Sequence, residues 1–161
     1  MTLEIRPAVA GDGAAFLDLV DALADYEKLP RPDADARARL LRDGFGPAPR
    51  FDTLLARLDG RPVGYAFYFF TYSSFLARPT LWLEDVFVVP DARGRGVGLA
   101  LLRRLGREAA ARECGRMEWT VLDWNRPAIE FYDRLGARPL GEWITYRLDG
   151  AALAALGAAG A

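Results

Sequence analysis

Residues 80–104 read TLWLEDVFVVPDARGRGVGLALLRR, and the fold is decided there. An apolar run up to Val89 has the character of a covered strand, and Pro90 stops it. Glycines at 94, 96 and 98 then alternate with Arg93, Arg95 and Val97 before Leu99, Leu102, Leu105 and Ala109 take up helical spacing. Gly94, Gly96 and Gly98 let backbone N–H groups approach a ligand with no Cβ in the way. A helix starting near Val97 turns its positive dipole end to the same place. The pattern therefore predicts a loop that takes phosphate groups, against the blander reading of a flexible surface turn. A Walker A loop is excluded, because it ends in Gly-Lys-Ser/Thr, and so is the dinucleotide fingerprint, whose third glycine falls where Leu99 stands. What remains is R-x-x-G-x-G, from Arg93 to Gly98.

Outward from this stretch, LEIRP alternates as a strand does, and Asp12 is placed to cap a helix carrying Phe16, Leu19, Val20 and Leu23, with Tyr26 and Glu27 at its end. A second helix is expected over 34–43, between Asp33 as cap and Gly44 as terminator. FDTLLARL and PVGYAFYFFTY read as strands joined at Asp59-Gly60, a hairpin pair, and a third runs from about Thr80 to Val89. MEWTVLDW is a further strand, Asn125 caps a helix over 127–135 stopped by Gly136, EWITYRL is a last strand, and the alanine-rich tail from Gly150 is a short helix. Hairpins come first and strand–helix–strand units later. The expected fold is α/β with a mixed sheet, in one domain over 1–161.

Composition narrows the chemistry. With 52% hydrophobic and 27% charged residues, the chain has globular character, and it has no apolar run of membrane-spanning length. A net charge of −1 gives no general attraction to nucleic acid. The single cysteine, Cys114, and an N-terminus unlike a signal peptide point to a reducing cytoplasm. There is no histidine, so acid–base chemistry falls to carboxylates, tyrosine, water or the substrate, and no metal is expected.

Glu84 and Asp85 interrupt an apolar strand. The pleat is expected to send one to each face, with at least one covered, as a base or cation site of raised pKa or as a structural hydrogen-bond anchor. Asn125 and Tyr132 are seven residues apart and look along one side of a helix, which brings the Tyr132 hydroxyl towards a ligand unless the pair is an ordinary cap and a core ring.

ARGRGVG after a strand, followed by DWNRPAIEFYDRLGA, resembles the GNAT superfamily of acetyl-CoA-dependent N-acetyltransferases. Together with LADYEKL, RDGFGPAPRF and FYFFTYSSF, these segments resemble the spermidine/spermine and thialysine N-acetyltransferase family over residues 3 to about 148. VLDWN and FTYSS lean towards the thialysine branch. The resemblance implies a mostly antiparallel sheet flanked by helices, with a bulge that splays two strands at the acetyl-CoA site. It implies that main-chain atoms of Val86, Phe87 and Val88 pair with the pantetheine arm. Arg93, Gly94, Arg95, Gly96, Val97 and Gly98 wrap the pyrophosphate, Leu99 lies at the cofactor beside them, and Asn125, Pro127 and Ala128 contact the cofactor arm. Tyr132 stands at the thioester sulfur as general acid. Glu84 serves as base, directly or through water, and Tyr26, Glu27, Glu84 and Asp85 lie at the amine site. Glu142 and Trp143 match positions there too, although PLGEWITY is shorter than the family's serine- and glutamate-rich segment. The implied reaction is direct acetyl transfer to a primary amine of a small cation, by a cytoplasmic homodimer. A peptide or protein amine is the rival acceptor, and a CoA-binding sensor or assembly module the rival outside enzymes.

Overall fold

The structure is a computed structural model that describes residues 1–158. Two compact units divide the chain, Met1–Thr120 and the residues from Val121 onwards.

The first unit is built on a five-stranded sheet in sequence order, β1 (Leu3–Pro7), β2 (Asp52–Leu58), β3 (Arg61–Ser73), β4 (Arg78–Val88) and β5 (Arg116–Trp119). Successive pairs from β1 to β4 are antiparallel, and β5 lies parallel to β4. The expected α/β mixed sheet is thus present. The β2–β3 turn has positive φ at both Asp59 (49°) and Gly60 (82°), the geometry of a tight hairpin. The β4–β5 connection is α3 (Val97–Ala111), as a parallel pair requires, and α3 buries Val97, Leu101, Leu105 and Ala109.

Cross-strand register shows what occupies each face of the sheet. Leu55 lies opposite Tyr65, and Tyr65 opposite Phe87. These three pack with Phe16, Leu17 and Leu19 of α1 (Gly13–Glu27) and with Phe51 into one apolar core. Phe51 and Phe67 stack at 3.9 Å, and Phe16 meets the Tyr65 ring edge-on at 5.7 Å. Such burial, at about 25 cal/mol per Å² of apolar surface, is the main source of stability here.

Several local expectations give way to packing. Asp33 does cap α2 (Ala34–Phe45), accepting from Ala36 N, but the helix runs past Gly44. A Cβ at Gly44 would stand 2.6 Å from the Phe51 ring, so this glycine makes room for the core, and the helix stops at Gly46. Asp12 precedes α1 but its side chain caps nothing there. It is buried and accepts two hydrogen bonds from Arg6, at 2.6 and 2.9 Å, one from Arg57 and one from Val9 N, which hold its carboxyl well below the usual range. Compensation of a buried carboxylate outranks a cap it had the sequence position to make.

The second unit contains α4 (Arg126–Arg134) and α5 (Gly150–Ala158), with Gly136 at φ 82° after α4. Residues 159–161 of the expected tail helix lie outside the described residues. The strand expected over MEWTVLDW ends at Trp119, and EWITYRL, residues 142–148, forms no strand. Alternation alone does not make a strand; a ladder partner is needed for its peptide groups, and this unit contains no other strand among the described residues.

Candidate active site

β4 pairs with β5 only from Thr80↔Arg116 to Leu83↔Trp119, yet β4 continues to Val88. The cause is local. On the β3 side the register steps from Tyr68↔Leu83 to Phe67↔Asp85, so Glu84 is the extra residue of a bulge. Past the bulge β4 is an edge strand, and an edge strand turns part of its peptide N–H and C=O groups away from its one partner. Val86, Phe87 and Val88 lie on this stretch.

The bulge also changes where the carboxylates go. The pleat alone predicts opposite faces for Glu84 and Asp85. Instead Asp85 takes the register position opposite Phe67, on the same face as Tyr65 and Phe87, while Glu84 reaches back to accept from Trp82 Nε1 at 2.8 Å. Glu84 is exposed and Asp85 half-buried. Burial drives the Asp85 carboxyl up to about 6, against a lowering hydrogen bond from the Tyr65 hydroxyl at 3.1 Å, and the charges of Glu84 and Glu27 raise it further. Glu27, half-buried at the end of α1, is itself raised by burial. Beside it the Tyr26 ring lies 6.2 Å from the Phe87 ring. The structure therefore brings Tyr26, Glu27, Asp85 and Phe87 into one neighbourhood, with Glu84 at its margin.

After Val88 a single 3₁₀ turn, Pro90–Ala92, leads into the glycine loop. Gly94 and Gly96 have φ of 72° and 80°, the left-handed region that side chains with a Cβ rarely adopt. Gly96 is the residue before α3, and no side chain caps that helix. The N–H groups of Val97, Gly98 and Leu99 in its first turn have no carbonyl partner within the helix, which makes this end a donor array for an anion. Val97 is buried and anchors the turn, and Arg95 is exposed. The Arg93 side chain folds back over the sheet, with Nε donating to the Val88 carbonyl at 2.9 Å and its guanidinium 4.6 Å from the Tyr26 ring centre and 5.6 Å from that of Phe87. Its backbone belongs to the loop, but its charge is placed over the aromatic pair at the end of α1.

In the second unit Asn125 caps α4, its Oδ1 accepting from Ala128 N at 3.4 Å, with Pro127 in the first turn. Tyr132 lies on α4 with its ring 5.6 Å from that of Phe131. Glu142 and Trp143 are exposed in a segment without helix or strand. Among the described residues no group of three or more His, Cys, Asp or Glu side chains could hold a metal ion, and no helix is long and apolar enough to cross a membrane. Tyr65 is the site residue the sequence did not single out. Its one signal is a hydroxyl in a phenylalanine-rich strand, which becomes meaningful only when register brings it beside Asp85.

The family described as "Acetyltransferase (GNAT) family" matches residues 16–137. A thialysine N-epsilon-acetyltransferase from Sus scrofa is 37% identical over 160 residues, covering 92% of this chain and 94% of the relative. Spermidine/spermine N(1)-acetyltransferase-like protein 1 from Homo sapiens is 35% identical over 156 residues, covering 91% of this chain and 22% of that longer protein. The solved structure of AAC(6')-Iy in complex with the bisubstrate analog CoA-S-monomethyl-acetylneamine shares the fold, with a TM-score of 0.75 at 22% identity over 93% of this chain and 100% of that one.

Proposed function

Because this chain belongs to the GNAT acetyltransferase family and is an acyltransferase, we propose that it moves acetyl from acetyl-CoA to a primary amine of a small cationic molecule, by direct attack in a ternary complex. The observation that carries the acceptor is the pair Asp85 and Glu27, two carboxylates both held above their ordinary range in one neighbourhood. A substrate with two positive centres gains from them at reduced dielectric. The names of the two relatives, one acting on thialysine and one likened to a spermidine/spermine enzyme, describe amines of that kind.

The cofactor part of the reading rests on the loop and the strand edge. The glycine loop and first turn of α3 receive the pyrophosphate, and the edge from Val86 to Val88 pairs with the pantetheine arm. Asn125, Pro127, Ala128 and Tyr132 join the cofactor site on the strength of the motif match, as Glu142 and Trp143 join the amine site. The whole chain is taken as one catalytic domain, and on the same resemblance the working unit is a homodimer in the cytoplasm. In the reaction, an ammonium of ordinary pKa near about 10 first gives a proton to a carboxylate. Asp85 suits this role, because burial raises its carboxyl to about 6, and exposed Glu84 beside it attracts the ammonium. The free amine attacks the thioester carbon, an N–H of the β4 edge steadies the oxyanion, and the C–S bond breaks as Tyr132 protonates the sulfur.

An amine panel tests the acceptor: spermidine, putrescine, thialysine, lysine, a neutral amino alcohol and a peptide N-terminus, following CoA release. Dications are expected to give the highest kcat/KM. Glu27→Gln is expected to raise KM for a dication more than for a monocation, a gap that salt narrows. Equal activity on the neutral amine, or activity on the peptide alone, overturns the small-cation reading. Acetyl-CoA binding without turnover on any amine favours a sensor. Gly96→Val tests the loop. A β-branched residue at φ 80° costs about 1–3 kcal/mol of backbone strain, so acetyl-CoA is expected to bind roughly tenfold more weakly by calorimetry. Unchanged affinity in a folded variant removes the loop from the cofactor site.

A further inference from the structure

Tyr65 has no exposed surface, yet it carries a polar atom into the core. Its ring is fixed on three sides, by Leu55 and Phe87 in register and by Phe16 edge-on at 5.7 Å. A ring held this firmly leaves its hydroxyl little choice of direction, and the hydroxyl donates to Asp85 Oδ2 at 3.1 Å. Packing alone does not call for the hydroxyl: Phe16, edge-on to the ring, and Phe87, opposite it in register, carry none. An unneeded buried hydroxyl costs free energy unless it is bonded, so the bond to Asp85 is the reason to look for a role.

We propose that Tyr65 is the positioning residue of the amine site, its hydroxyl holding Asp85 Oδ2 so that the carboxylate presents Oδ1 to the substrate nitrogen. This inference rests on the reading of Asp85 as the group that accepts the amine's proton. The groups that face Asp85 are Tyr65 on β3, Glu84 on β4 and Glu27 on α1. Tyr26 of α1 and the Arg93 guanidinium stand at the Phe87 side of the same neighbourhood. Glu84 and Glu27 both oppose ionisation of Asp85, whereas the Tyr65 hydroxyl favours it. Tyr65 thus orients the carboxylate and also keeps it able to ionise near neutral pH. The bulge at Glu84 makes the contact possible, because it brings Asp85 to the face where the register has already placed Tyr65.

The test is Tyr65→Phe, which keeps the ring and removes the oxygen. Without the donated bond the charged form of Asp85 is less favoured, so the acid limb of the kcat/KM profile is expected to move up by about one pH unit. Activity is expected to fall several-fold at pH 6.5 and recover largely at pH 9, with acetyl-CoA affinity and the melting temperature near wild type. In an Asp85→Asn background, Tyr65→Phe is expected to change kcat/KM by less than about twofold, because a residue acting through Asp85 has nothing left to act on. An unmoved acid limb, or losses that multiply in the double variant, makes Tyr65 a packing residue and overturns the proposal. Failure of the underlying reading is separate and visible: Asp85→Asn alone then keeps wild-type kcat/KM.

Discussion

Replacing Asp85 with asparagine is expected to lower kcat/KM by about 10³-fold near neutral pH, in the middle of the range for removing a positioned acid–base group. The same change is expected to stabilise the fold. Burial raises the Asp85 carboxyl from an ordinary 3.8 to about 6, against the hydrogen bond from the Tyr65 hydroxyl. A carboxyl raised in the folded state contributes fully below its unfolded value and loses that contribution as pH climbs through about 6. At pH 8 the charged, buried group therefore costs the native state up to about 3 kcal/mol. Asparagine keeps the shape and an acceptor for Tyr65 without the charge. Its melting temperature should exceed that of wild type at pH 8, with the advantage vanishing towards pH 4. On the proposed mechanism the fold gives up stability at the place where the chemistry needs a base. Glu84→Gln in parallel decides between the neighbours. Exposed and bonded to Trp82, Glu84 is expected to affect KM for the amine more than kcat, and by no more than about tenfold. The opposite ranking, with Glu84→Gln the more damaging, returns the base to Glu84.

Tyr132→Phe is expected to lower kcat by about 10²-fold while leaving acetyl-CoA affinity nearly intact. The ring remains beside that of Phe131, so the variant removes the hydroxyl alone. Asn125 and Pro127 set the start of α4, and Tyr132 lies seven residues beyond the cap on the same helix. A wild-type turnover number in the variant reduces Tyr132 to a packing residue.

Much of the candidate site was legible because its signals are local. A strand, a stop at Pro90 and glycines at 94 and 96 dictate a loop whose backbone adopts positive φ, and the helix beginning at Val97 follows from spacing alone. The Asn125 cap and the Asp59-Gly60 hairpin are equally short-range. The motif match identified the family and with it the reaction class. Where long-range terms compete, local reading fails. Asp12 has a capping position but is claimed by Arg6 and Arg57, Gly44 reads as a stop but clears space for Phe51, and residues 142–148 alternate without a partner strand.

The amino-acid order by itself determined that two carboxylates interrupt the central strand, that a glycine loop opening a helix follows it, and that no histidine competes for acid–base work. Only the tertiary structure decided which carboxylate is covered. Alternation predicts opposite faces, but pairing with β3 inserts one extra residue at Glu84, and that bulge turns Asp85 onto the face of Tyr65 and Glu27. A one-residue shift in register exchanges the faces of every side chain beyond it, and register is a property of two strands, which one strand's sequence does not contain.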